Sequence, residues 1–321
     1  ATGTGKTKTL QIVAEQLSLK GVPSLLMDVK GDLSGIAMPG TNNDHITWRH
    51  NEIGLTFDPT SIPVELMTIS DCDGVKLRAT VTEFGPILFS KILGLNDTQT
   101  GVISLVFKYC DDNQLPLLDL DDIKKVLQFV MNEVKEEITS KYGSISKASI
   151  NTIIRKIIEL EQQKVNVFFG EKSFEIDDLL RRKDGKGMVS IIRLNDIQDK
   201  PKLFSTFMLS LMSEVYHTLP EEGDLGVPKL GIFIDEAHLI FDTASDVLLG
   251  QIESMVKLIR SKGVGLFFVT QNPTDVPDDI LSQLGLKIQH SLRAFTAKDR
   301  KNIKQTAQNY PLSELYKTDE V

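Results

Sequence analysis

Two short stretches of the chain carry the residue types that phosphate chemistry requires. Ala1-Thr2-Gly3-Thr4-Gly5-Lys6-Thr7-Lys8-Thr9 spells the latter part of the pattern G-x-x-x-x-G-K-[ST], with only the opening glycine absent. Gly3 and Gly5 let the backbone curl so that successive N–H groups face phosphate oxygens. Lys6 is expected to reach the β- and γ-phosphates of ATP, and the Thr7 hydroxyl to hold Mg²⁺. Thr2, Thr4 and Lys8 complete the predicted cradle. The second stretch, Ile232-Phe-Ile-Asp235-Glu236-Ala237-His238, is an apolar run ending in twin acids. At the carboxyl edge of a parallel sheet, Asp235 would hold Mg²⁺ through water and Glu236 would polarise the attacking water. Both expectations require Lys6 and the two acids to converge on one triphosphate.

A third element is Thr270-Gln271-Asn272, at the end of the next apolar run. A neutral amide there can hydrogen-bond the γ-phosphate or the nucleophilic water, which assigns Gln271 a sensing role in catalysis. Arg260, in Lys257-Leu-Ile-Arg260-Ser-Lys262-Gly263, fits either a surface cation at a helix C-terminus or an arginine finger reaching a neighbouring subunit. Arg293 is a candidate nucleotide contact just past the last expected strand, with a plain surface cation as the alternative.

The elements that must position these groups alternate. Thr7 to Lys20 is expected to be a helix whose positive end faces the anion. Apolar runs predict strands at Pro23–Asp28, Met188–Leu194, Leu230–Asp235, Gly265–Thr270 and near Leu286–Gln289. Amphipathic segments predict helices over Lys202–Leu219 (after Pro201) and from about Ser245 to Lys262. Strict alternation implies right-handed crossovers and a parallel sheet, hence an α/β fold. Residues 37–60 read as loops with a hairpin around Ile46–Arg49. From 70 to 165 the periodicity turns helical: Phe84–Leu93, Val102–Tyr109, a long helix capped by Asp119 and running to about Lys141, and another from Ser146 through Gln163. The division expected is a first part of the ATPase core at 1–69, a helical insertion at 70–165, and the second part of the core at 166–321. Arg181–Gly187 is a basic turn, read as an exposed loop before a strand.

The composition narrows the classes. The 321 residues suffice for a sizeable core, and 36 basic against 44 acidic residues leave a net charge of −8. That excludes a surface coated for nucleic acid, though not a local basic channel. Two cysteines and five scattered histidines form neither a disulfide framework nor a metal-ligand pattern. No apolar run approaches a membrane span, so a cytoplasmic chain without membrane insertion is expected. A phosphate loop also expects a buried strand ahead of it, and none precedes residue 1, which reads as a fragment of a longer chain.

Ala1–Thr7, Met27-Asp-Val-Lys-Gly-Asp-Leu33, Thr82-Glu-Phe-Gly-Pro86 through Leu95-Asn-Asp-Thr-Gln99, Phe233–His238 and Val269-Thr-Gln-Asn-Pro273 together resemble the HerA-like branch of the FtsK/HerA ATPases. The resemblance spans nearly the whole chain. It implies a RecA-type P-loop NTPase sheet with a helical insertion, assembled as a hexameric ring in which ATP hydrolysis drives double-stranded DNA through a central pore. It makes Lys6 and Thr7 ligands of nucleotide and Mg²⁺, Asp235 and Glu236 the Walker B pair, Gln271 the sensor, and Arg260 the finger acting between subunits. The chain departs from the family pattern in lacking the upstream strand and an N-terminal barrel, and in its net acidity. Asp235-Glu-Ala-His238 also spells the DEAH box of superfamily 2 helicases. The Thr-Gln on the next strand, in place of Ser-Ala-Thr, suits the RecA arrangement instead. An ATPase serving a protein partner or secretion-type machine is the alternative output. A small-molecule kinase is disfavoured, because paired acids suit water activation.

Overall fold

The computed structural model describes residues 3–197, 200–223, 225–243, 246–291 and 300. Thr2 and Arg293 lie outside them. The chain opens with helix α1 (Lys6–Leu19) and enters β1 (Ser24–Asp28), a strand buried at every position. After α2 (Asp44–Glu52) come β2 (Val64–Thr68) and the two-residue β3 (Val75–Lys76). A helical stretch follows: α3 (Val81–Leu93), α4 (Asp97–Asp112), α5 (Leu120–Asn132), α6 (Lys135–Tyr142), α7 (Lys147–Gln162) and the short α8 (Ile176–Leu179). A hairpin of β4 (Arg182–Lys183) and β5 (Lys186–Gly187) leads into β6 (Val189–Arg193) and α9 (Pro201–Thr218). Then come β7 (Leu230–Ile234), α10 (His238–Thr243), α11 (Asp246–Leu258), a 3₁₀ turn at Ile259–Lys262, β8 (Val264–Phe268) and α12 (Asp278–Leu281).

The main sheet has six strands in the order β3-β2-β6-β1-β7-β8, and every pairing is parallel. Its central strands are apolar because both faces are covered. Successive residues feed opposite layers: Leu25 and Met27 of β1, with Ile232 and Ile234 of β7, join the larger core, whereas Leu26 and Phe233 join the smaller. The larger core is shared with α3, α4, α5, α7 and α9, through residues such as Phe89, Ile103, Ile123, Ile153 and Phe207. Leu10 and Ala14 of α1, with Val189, Ile191 and Phe233, make the thinner layer. Phe233 is fully buried and stacks on Phe267, ring centres 4.3 Å apart. Burying one such side chain contributes roughly 1.5–3 kcal/mol.

Several sequence expectations change. Residues 44–52 are helical, not a hairpin: the Asn43 carboxamide accepts the Ile46 N–H at 2.9 Å, and Asp44 sits in the first turn, so capping outweighs the β-branched cue. Asp119 does cap α5, accepting the Asp122 N–H at 2.9 Å, but the helix stops at Asn132 and α6 restarts beyond Val134. The expected helix over 245–262 tightens to a 3₁₀ turn from Ile259, and Ser245 lies outside the described residues. Leu286–Gln289 is not a strand. No neighbouring strand pairs with it among the described residues, and Leu286 and Ile288 remain exposed. No helix among the described residues is long and apolar enough to cross a membrane.

Candidate nucleotide site at the carboxyl edge of the sheet

The start of α1 is built to receive an anion. Gly3 and Gly5 have φ of +74° and +94°, a left-handed backbone that side chains with a Cβ rarely adopt. Gly5 stands at the helix N-cap and offers no side-chain cap, and the first turn holds no acid. The positive helix end is suited to an anion. Thr4, Lys6 and Thr7 are partly buried there, while Lys8 is exposed, its Nζ 3.5 Å from Gln11 Oε1 along the helix.

α1 packs on the faces of β1 and β7 and leads through a tight turn at Gly21 into β1, so it runs against the strands. Its first turn therefore opens at their carboxyl ends. A direct contact fixes this: Gln11 Nε2 donates to the Asp32 carbonyl at 3.1 Å, in the turn that follows β1. Lys6 lies five residues earlier, roughly 7.5 Å further along the axis.

The acids sit at the same edge. β7 ends at Ile234, and the ladder with the chain beyond β8 continues: Val269 N–H donates to Ile234 O and Ala237 N–H to Val269 O, each at 2.9 Å. Those two bonds clamp Asp235 and Glu236 beside Gln271. Gln271 Nε2 lies 3.2 Å from both Glu236 carboxylate oxygens, so it donates to this acid. Asn272 has a different task, capping the 3₁₀ turn Pro273–Asp275. Lys30, on the turn after β1, donates to Glu236 Oε1 in an ion pair. His238 Nδ1 stands 3.2 Å from Glu236 Oε2. Glu236 itself has φ of +49°, left-handed for a residue with a long side chain.

The two acids are equally buried, each 4% exposed, yet titrate in opposite directions. Burial pushes the Asp235 carboxyl up to about 6, and neighbouring Glu236 adds to the rise. Burial also acts to raise Glu236, but the hydrogen bonds from Lys30 and Gln271 outweigh it and hold Glu236 below its usual range. Asp235 Oδ2 is buried and has no hydrogen-bond partner among the described residues. A carboxylate oxygen left so is suited to a cation or its bound water, and Thr7 provides a hydroxyl at the opening of α1. The residues present fit Mg²⁺.

Arg260 is not brought to this cluster. It is exposed in the 3₁₀ turn before β8, at the amino edge of the sheet. Five strand residues, roughly 16 Å, separate that turn from the Gln271 end. Its own chain's site is out of reach. Two contacts escape sequence reading. Lys30 meets an acid 206 positions away, visible only once β1 and β7 are known to be neighbours. His290 Nδ1 donates to the Thr4 carbonyl at 3.0 Å, laying a late segment on the phosphate loop. The only sequence signal for Lys30 was its place in Met27–Leu33.

The chain is similar to known proteins in sequence and in fold. It is 22% identical to the DNA double-strand break repair helicase HerA of Sulfurisphaera tokodaii over 96% of its own length and 57% of that protein's. It is 20% identical to the HerA of Sulfolobus acidocaldarius over the same shares. The chain thus spans little more than half the length of these relatives. Among solved structures it resembles the bacterial conjugative coupling protein TrwB with sulphate, with a TM-score of 0.52, 15% identity, and coverage of 87% of this chain and 64% of that one. The plasmid coupling protein TrwB with ADP and Mg²⁺ gives 0.51, 14%, 87% and 64%. The fold is accordingly a RecA-type P-loop ATPase fold. A description as the helicase HerA-like C-terminal family matches residues 1–321, and the chain belongs to that family.

Proposed function

We propose that this chain is the motor core of a Mg²⁺-dependent ATP hydrolase that works as a ring, a hexamer by family resemblance, on double-stranded DNA. The observation that carries the hydrolytic reading is the clamped pair Asp235–Glu236, with Gln271 on Glu236, at the same sheet edge as the opening of α1. In this reading the glycine-turned loop at Gly3 and Gly5 and the Lys6 ammonium bind the phosphates. Glu236 orients a water and accepts its proton as the water oxygen attacks the γ-phosphorus, the bond to the β-phosphate oxygen breaks, and ADP leaves. Gln271 positions Glu236. Thr7 and Asp235 would hold Mg²⁺, which when bound neutralises charge on the phosphates. Arg260, exposed and far from its own site, serves the nucleotide of the next subunit, and Arg293 is a further candidate nucleotide contact. Residues 1–69 and 166–321 form the ATPase core around the insertion at 70–165, apart from β3 (Val75–Lys76), which extends the sheet beside β2. Cys72 and Cys110, both free thiols, suit a reducing cytoplasm.

Support for DNA comes from the family and from what the HerA relatives are named for. The net charge of −8 favours a second output, a protein partner. ATP turnover by the full-length protein, with and without linear double-stranded DNA, separates them. Stimulation abolished by Glu236→Gln supports the DNA motor. A flat response to DNA, with turnover still dependent on Glu236, transfers the reading to a protein-driven ATPase.

A further inference from the structure

Lys30 is placed as few surface lysines are. Its turn is anchored by Asp28, a 1% exposed carboxylate at the end of β1 that accepts the Gly31 N–H at 2.7 Å and the Leu33 N–H at 3.1 Å. Gly31 takes φ of +80° to close that turn. The backbone under Lys30 is therefore fixed, while its side chain is 42% exposed on one side and bonded to a 5% exposed carboxylate on the other. Glu236 has little room to move away. Its main chain is held by the flanking bonds to Val269, and Gln271 spans both of its oxygens. The ammonium occupies Oε1, and His238 stands beside Oε2. The ammonium covers Oε1 and fixes the direction in which the carboxylate points, so Glu236 is held on Lys30 and Gln271 rather than aimed at a water.

We infer that Lys30 is a positioning residue that restrains Glu236 in the idle enzyme, so that hydrolysis proceeds only when the Lys30 side chain swings off the carboxylate towards its open side. This deepens the ATPase reading above and rests on it. The four-carbon stem of lysine allows such a swing without moving the Asp28-anchored turn. A charge-assisted hydrogen bond is strong enough that its loss should change idle turnover by roughly tenfold.

The test uses the full-length protein with ATP and no partner, comparing Lys30→Met, Lys30→Arg, Glu236→Gln and the Lys30→Met/Glu236→Gln double variant. Expected are an idle kcat for Lys30→Met about tenfold above wild type, a wild-type rate for Lys30→Arg, and a double variant as slow as Glu236→Gln. Thermal denaturation of the same set gives an independent readout, since the two single changes must be non-additive if the side chains are coupled. An idle rate for Lys30→Met that is unchanged or lower overturns the inference, as does additivity in the melting cycle. Glu236→Gln turning over like wild type would instead remove the ATPase assignment itself, and the melting cycle would still report whether the Lys30 contact exists.

Discussion

The two edges of the sheet are built on opposite plans. At the carboxyl edge, charged groups are drawn inward: Asp235 and Glu236 are nearly inaccessible, and Lys30, Gln271 and His238 gather around one of them. At the amino edge several cations are turned outward, although Lys262 is buried and donates to the Leu219 carbonyl at 2.6 Å. Arg182 and Lys183 project on the β4–β5 hairpin, and Arg260 is exposed on its 3₁₀ turn. The hairpin is nonetheless firmly seated. A Cβ on Gly187 would lie 2.1 Å from the Val22 main chain. One edge thus spends folding free energy on burying and aiming charge, which is how sites with shifted titration arise. The other leaves Arg182, Lys183 and Arg260 exposed, while Lys262 is buried with its ammonium on the Leu219 carbonyl.

Substitutions can break that contrast, and the largest effect belongs to the outward edge. If Arg260 completes a neighbour's site, Arg260→Ala should lower kcat by about 10³-fold or more. Mixing Arg260→Ala subunits with Glu236→Gln subunits should restore part of the activity, and no recovery in steady-state turnover would confine catalysis to the inward edge. Glu236→Gln is expected to slow single-turnover phosphate release by about 10²–10⁴-fold while ATP still binds. Lys6→Ala should raise the Kd for ATP by roughly ten- to a hundredfold, measured by calorimetry.

Asp235→Asn sharpens the comparison on the stability side. The Asp235 carboxyl titrates near 6 when folded against an ordinary value of 3.8. Raised folded pKa means the unfolded chain gives up this proton first, so the group costs stability as pH climbs from about 4 through 6, and the full cost applies above that. In nucleotide-free protein, Asp235→Asn should raise stability by roughly 3 kcal/mol at pH 8 and by almost nothing at pH 4. Melting curves at the two pH values check it. Smallest of all, Arg182→Ala with Lys183→Ala should shift stability by no more than about 0.5 kcal/mol and leave basal turnover unchanged. A large loss in either measurement would give the hairpin a task within its own chain.

Much of the inward edge was legible before folding, because its chemistry is written in local patterns. Gly3, Gly5, Lys6 and Thr7 share one loop, Asp235 and Glu236 terminate one apolar run, and Gln271 terminates the next. Helix α5 was legible in the same way, through Asp119 at its cap and Ile123, Leu127 and Val130 on its buried face. What escaped was whatever depends on a partner distant in sequence. Lys30 gains its meaning from Glu236, and His290 from Thr4. Leu286–Gln289 carries an alternating apolar pattern, yet a strand exists only where a neighbour supplies the ladder. The helix at 44–52 is the reverse case: Asn43 decides it locally, whereas Ile46 and Trp48 carry a strand-like pattern.

The adjacency of β1 and β7 also sets a timetable. A ribosome emits the phosphate loop first and must add more than two hundred residues before the strand bearing the twin acids appears. Until then the growing polypeptide has the glycine turn without the twin acids, and contacts of such long sequence separation form late. A nascent chain therefore carries the loop long before the β6 and β7 residues that seat α1 have been made.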